Sequence, residues 1–497
     1  MEKTNKQEKI SGPPVGATAL LLMGLLVAYM VKGSGLPSEI ARGSAVIVGI
    51  AITASFAADW ILAGGRNLFR IDNAAIVALY FLTLFEFLFP QNFFNVLVTR
   101  EQVVAGLDLV LLGVASLAVG RHLAGRRTFA RGLGSLRGLS SMELFWLALL
   151  AFVAGHVHQW VAVGFNPVEW LSQMTGARFT QDWQRGKLGG WNTLLHELHW
   201  ATYLVPAVAA ILWVRRSEAP PWTVVGSVAL AAVTVFGGLS SGTRYQFAFY
   251  LLSFVGGWFL SLPKVRVSQL VFNALPIFAL FIAAVFLVVN FRTFGVMDSY
   301  RVLVSNRYEN ISEGRLLMLE RLKEGSGFKF IVDRNLHPIS VMTTEFPARY
   351  PFLEEEVLAQ IMFRSVPRAL WPDKPESLSV TMEAVLGFES ATIASTFVGE
   401  GYMAYGRSGT ILFGLGLGVL AGLWNRFSVD PGNSTQVLLY STGFVWMSLA
   451  VRSVVWITVG FLPVLFLVGY AWFLLPLISR KDQVERLSNT QPSNVTE

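Results

Sequence analysis

The chain contains no cysteine, which excludes disulfides, thiolate metal sites and a cysteine nucleophile. Charge is scarce too: Asp, Glu, Lys and Arg make up only 14% of its 497 residues, against roughly a quarter in an ordinary soluble domain. No G-x-x-x-x-G-K-[ST] phosphate loop is present, and the connection after the first apolar run has no acidic pair or D-x-D, Glu39 standing alone. His196-Glu197-Leu198-His199 comes near a zinc motif but fails it, because H-E-x-x-H needs its second histidine at position 200, which is Trp200. No cofactor and no metal are expected. Residues 16–32 are too long for a cleaved signal peptide, and no A-x-A-like site follows them, so this first apolar run is expected to stay.

Apolar length is what the chain has in quantity. Hydrophobic residues account for 53% of it. A bilayer core about 30 Å thick takes a helix of roughly 20 mostly apolar residues, and such runs recur near 16–32, 44–62, 74–90, 103–121, 143–164, 197–214, 222–240, 245–262, 269–290, 409–425, 436–451 and 455–478. The expectation is an all-α polytopic integral membrane protein of about 12 transmembrane helices. With the N-terminus in the cytoplasm, the inner connections and both tails hold 18 Lys and Arg, the short outer connections hold 8, and the remaining 13 of the 39 lie in 291–408. Basic residues collect on the cytoplasmic side, so both termini are expected there, with a large extracytoplasmic loop at 291–408. The formal charge of +7 is then topological, and no nucleic-acid partner is expected.

The chain accordingly divides into a transmembrane bundle of nine spans over 1–290, an extracytoplasmic loop region over 291–408, three C-terminal spans over 409–479 and a cytoplasmic tail over 480–497. Two outer connections are long and polar, 165–196 and 291–408. The second carries 13 basic and 15 acidic residues, which describes a nearly neutral folded element. Two short amphipathic helices are expected in it. One runs from Asn310 to Lys323, with Asn310 and Glu313 at capping-box spacing. The other runs from Glu354 to Val366, with three glutamates at its start and Pro367 stopping it.

Arg178, Arg185, Arg244, Arg292, Arg364, Arg368 and Arg452 fall on the outer side, against the charge bias. A guanidinium stays protonated and offers a rigid fork of donors that fits phosphate oxygens, so several of them converging describe a phosphate or diphosphate clamp. Such arginines also snorkel or pair within loops. Arg244 and Arg452 stand in connections too short for their heads to leave the membrane surface, which favours function there. In Ser365 to Pro375 three prolines fix the backbone around Arg368 and Trp371. Trp371 is a platform for a sugar ring or a belt residue at the membrane interface. Glu400 stands between Gly399 and Gly401, where a ligand can approach its carboxylate as a general base or sugar-hydroxyl acceptor requires; pairing with one of the arginines is its other use. His156, His158, His196 and His199 lie near the outer ends of spans five and six, as candidate bases or as satisfied interface histidines. Asp59, Glu86 and Asp108 fall inside predicted spans and are functional or pairing candidates.

Many spans, Ser241-Gly242-Thr243-Arg244, a large late outer loop, Pro367-Arg368-Ala369-Leu370-Trp371-Pro372, and Gly399-Glu400-Gly401-Tyr402 followed by Tyr405-Gly406 together resemble the bacterial oligosaccharide repeat-unit polymerases, the O-antigen polymerase (Wzy-type) superfamily. The resemblance covers most of the chain through short motifs. It implies a metal-independent, inverting membrane glycosyltransferase on the outer face of the bacterial inner membrane. Such an enzyme moves a growing glycan from undecaprenyl diphosphate onto an incoming lipid-linked repeat unit. It also implies membrane lipids, a chain-length regulator and a flippase as surroundings or partners. Carried onto this sequence, Glu400 is the base, with Arg244 and Arg368 beside it as catalytic residues. Arg178, Arg185, Arg292, Arg364, Arg452, Trp371 and Tyr402 bind substrate. An O-antigen ligase of related architecture would use the same clamp with another acceptor. A lipid or polysaccharide transporter would do no chemistry, and usually shows inverted repeats with helices broken at mid-depth.

Overall fold

The computed structural model describes residues 10–124, 137–176, 181–183, 195–241, 243–264, 333–364, 366, 370–375, 377–387, 393–427 and 429–475, with isolated positions between 268 and 296. All regular structure among these residues is helical. Six helices are long and apolar enough to cross a membrane: Pro37–Ala63, Arg100–Leu123, Ser141–Ala162, Leu195–Val214, Pro221–Ser240 and Thr396–Trp424. Shorter apolar helices run over Val15–Met30, Ile71–Thr83 and Val459–Phe473, and Arg244–Ser261 and Ser434–Arg452 pack with them. This is a helical membrane protein. The span expected at 269–290 lies almost wholly outside the described residues, and the helix expected at 310–323 and the tail 480–497 lie outside them entirely. The helix expected at 354–366 is present as Glu355–Phe363.

Local chemistry fixes the helix ends. Thr99 with Gln102 and Ser140 with Glu143 form capping boxes, each satisfying two backbone donors that a helix start would leave unpaired. Asn433 accepts from the Thr435 and Gln436 amides, and prolines open Pro37–Ala63 and Pro221–Ser240. Large apolar side chains such as Met23, Ile50, Ile61, Val225 and Leu412 stay exposed on the outside of the bundle, the side that lipid covers.

Arg100–Leu123 and the second limb of Thr396–Trp424 pack closely against each other. They run parallel, because Gly414 meets Gly113 and Ser116, Gly418 meets Leu117 and Gly120, and Gly422 meets Arg121 and Ala124. Glycine every fourth residue lets the two backbones touch. A Cβ on Gly418 would sit 2.4 Å from the Leu117 carbonyl oxygen.

Thr396–Trp424 is not one straight rod. Tyr405 (φ −141°, ψ 27°) and Gly406 (φ 63°, ψ −146°) break it, and the left-handed φ at 406 suits glycine. The chain doubles back there, so that Gly401 and Gly409 touch backbone to backbone and Thr410 Oγ1 donates to the Val398 carbonyl at 3.0 Å. The Leu353 and Glu354 amides bond the Met403 and Ala404 carbonyls, at 2.8 and 3.0 Å, capping the first limb. Glu400 is thereby carried on a short helical limb inside the bundle.

At the end of the bundle that holds Arg121, a charged cluster is sealed from solvent. Arg70 grips Asp72 with two prongs, Nε at 2.9 Å and Nη2 at 3.0 Å, while Arg121 Nη1 reaches the same carboxylate at 3.2 Å and Asn73 at 3.1 Å. Asn425 also donates to Asp72 and accepts from the Tyr440 hydroxyl at 2.7 Å. Asp59 accepts from Asn67 and Asn73 at 2.6 and 2.7 Å. This cluster ties five helices together. Arg66, Arg70 and Arg121, counted in the sequence among the basic residues of the inner connections, are buried.

Candidate functional site

The opposite end of the bundle gathers most of the expected site residues that fall within the described chain. Ser434–Arg452 ends at Arg452 because Ser453 takes an extended conformation (φ −162°, ψ 118°), and a tight helical turn, Val454–Trp456, follows. Glu400 holds this corner: one carboxylate oxygen accepts from the Ser453 hydroxyl and the other from the Val454 amide. It is 8% exposed. Glu400 therefore fixes the backbone on which Arg452 is mounted, and also lies near enough to act on that guanidinium electrostatically.

Arg452 Nε donates to Asp333 Oδ2 at 3.0 Å, and its guanidinium lies over the Tyr245 ring, 4.5 Å from the centroid. Tyr245 follows Arg244, the first residue of the Arg244–Ser261 helix, so the start of that helix is brought next to Arg452. A second arginine comes from the end of Glu355–Phe363: Arg364 lies over Trp456 at 4.1 Å, and Trp456 packs 5.9 Å from Trp200. Stacking on an aromatic face holds a guanidinium in one plane while leaving its edge for an anion. Trp371 meets Phe363 edge to face at 5.1 Å, held near the helix end by Lys374, which donates to the Val366 carbonyl at 2.7 Å. Tyr402 is engaged elsewhere: its hydroxyl donates to the Phe346 carbonyl at 3.3 Å and its ring meets Phe352. Arg178, Arg185, Arg292 and Arg368 lie outside the described residues.

Behind Tyr245 the four histidines form a cluster. His158 and His196 stack at 5.0 Å, and His199 stands edge-on to His156 and His158. His199 Nε2 meets Gln246 and, at 3.2 Å, the Tyr250 hydroxyl, which bonds Thr202 at 2.8 Å. Gln246 is in the first turn of the helix that begins at Arg244, so this network anchors the turn carrying Arg244 and Tyr245. Among the described residues, no three of His, Asp and Glu are placed to hold a metal ion. Burial, with Arg334 adjacent, pushes the His337 imidazole down to about 4.

The intramembrane carboxylates separate. Asp59 belongs to the sealed cluster, Asp108 pairs with Lys32, and Glu86 is buried at the short turn Phe85–Leu88. Sequence reasoning missed Asp333, Tyr245, Ser453 and Trp456. Tyr245 and Ser453 could have been found as neighbours of Arg244 and Arg452, because short connections leave little room between a charged residue and the next. Asp333 carries no such signal. Compared with family models, curated proteins and solved structures, the chain matches none.

Proposed function

We propose that this chain is a membrane glycosyltransferase that joins undecaprenyl-diphosphate-linked oligosaccharide repeat units into a surface polysaccharide on the outer face of a bacterial inner membrane. The observation that carries the reading is the corner where Glu400 holds the Ser453–Val454 turn, with Arg452 on one side of it stacked on Tyr245 and Arg364 on the other stacked on Trp456. Arginines braced on aromatic rings suit a diphosphate, whose charge grows as the glycosidic bond to it breaks, and preorganised donors aimed at growing charge are the largest source of catalysis. Trp371 supplies a face for a sugar ring. Glu400 takes the proton of the attacking sugar hydroxyl.

In this reading the bundle has about 12 spans. The run at 269–290 counts among them. Both termini are cytoplasmic, and 291–408 is the extracytoplasmic loop from which Arg364 and Trp371 reach the site. Lipid-linked glycans are the substrates, and a chain-length regulator and a flippase are its partners in the membrane.

Glu400→Gln tests the base role. The amide cannot take a proton, and one of its two ends must present N–H to the Ser453–Val454 corner. Transfer is expected to fall by about 100-fold or more, the scale of a lost general base, with pyrophosphate binding retained within a few-fold. Loss of binding together with transfer would instead make Glu400 an anchor for Arg452, and normal transfer would remove it from the mechanism.

A further inference from the structure

Two carboxylates act on Arg452, and they differ in how they are held. Glu400 is immobilised, with both oxygens engaged by Ser453 and Val454. Asp333 is not. Its side chain is 30% exposed against 12% for Arg452, and its bond to the guanidinium runs through Nε alone at 3.0 Å, one point where two prongs are available. The Asn335 amide reaches the same Asp333 oxygen at 3.3 Å, at the limit of a useful bond. Asp333 is therefore the replaceable partner. A carboxylate and a phosphate oxygen accept the same charge-assisted bond from a guanidinium, and the phosphate offers more oxygens to its fork.

We propose that Asp333 is a built-in anion at the Arg452 site, which a diphosphate-bearing substrate displaces when it binds. The proposal rests on the reading of this corner as a diphosphate clamp. Between turnovers Asp333 keeps a largely buried guanidinium paired, which is costly to leave alone. During binding it competes with the headgroup, so affinity is held below what the arginines alone would give. By linkage, whatever weakens the Asp333 contact strengthens anion binding by the same factor. No covalent step is involved, only exchange of one anion for another on the same cation.

The test uses full-length protein purified in detergent, with inorganic pyrophosphate as probe and titration calorimetry as readout. Asp333→Asn, which keeps the side chain's shape without its charge, and Asp333→Ser are compared with wild type and Arg452→Ala. Both Asp333 variants are expected to bind pyrophosphate about three- to tenfold tighter, the range set by releasing a partly exposed ion pair, and Arg452→Ala to bind it far more weakly. Unchanged or weaker binding in both Asp333 variants, with Arg452-dependent binding in the wild type, overturns the displacement and leaves Asp333 a positioning partner of Arg452. Wild-type binding that does not depend on Arg452 overturns the clamp itself, a failure distinguishable from the first.

Discussion

Replacing Arg452 by Lys is expected to cut polymer formation by about 100- to 1000-fold, the effect of removing one preorganised donor from a developing oxyanion, with the amount of protein in the membrane unchanged. Lysine keeps the charge but has no Nε–H for Asp333, no planar group to lie over Tyr245 and no fork for two phosphate oxygens. Arg42, which belongs to none of the motifs, gives the control, and Arg42→Lys is expected to polymerise normally. Polymer measured on a gel from cells complemented with each variant reads the difference. Arg452→Lys polymer within about twofold of wild type would mean that the point charge suffices, and would remove the bidentate contact on which the clamp rests.

Asp72→Ala is expected to abolish folded protein, and for a reason remote from the site. Asp72 is the shared partner of Arg70 and Arg121, all three sealed from water, and Asn425 donates to it as well. Breaking a buried pair by removing one partner costs about 3–5 kcal/mol because the other charge is left uncompensated, and here two cations lose their partner at once. Such a cost is comparable with the whole stability of many domains, about 5–15 kcal/mol. Asp72→Asn should be milder, since the amide oxygen still accepts from Arg70. Size-exclusion profiles in detergent, with fluorescence to follow the protein, show the result directly. A monodisperse Asp72→Ala protein that had lost only activity would move this cluster from the scaffold to the mechanism.

The helices were legible where local signals and apolar length agree. Ser140 and Glu143 announce the start of Ser141–Ala162, and an apolar run of bilayer length follows them, so the expected 143–164 is displaced by only two residues. The sealed cluster was not legible. Arg66, Arg70 and Arg121 count as cytoplasmic charges under the positive-inside rule, and nothing in their spacing reveals that Asp72 and Asn73 from one helix and Asn425 from the end of another gather with Arg70 and Arg121. Glu400, expected in the large loop, stands in a helix. Gly399, Gly401 and Gly406 are poor helix formers, and the Thr396–Trp424 helix exists because its first limb folds back on Gly409 and is capped by Leu353 and Glu354, contacts distant in sequence. The arginines were chosen by type and by short connections. Arg452, Arg364 and the Arg244 turn do share one corner, whereas their partners Asp333 and Trp456 depend on tertiary placement and left no trace in spacing.

Purified protein reconstituted in vesicles and supplied with undecaprenyl-diphosphate-linked repeat units tests the central claim most directly. A ladder of products spaced by one repeat unit, with undecaprenyl diphosphate released in step and no added nucleotide, is the predicted result, and Arg452→Lys should leave the single unit unextended. Repeat units that remain single, whether they stay in place or cross to the other leaflet, would contradict polymerisation and make the arginine corner a binding site for transport.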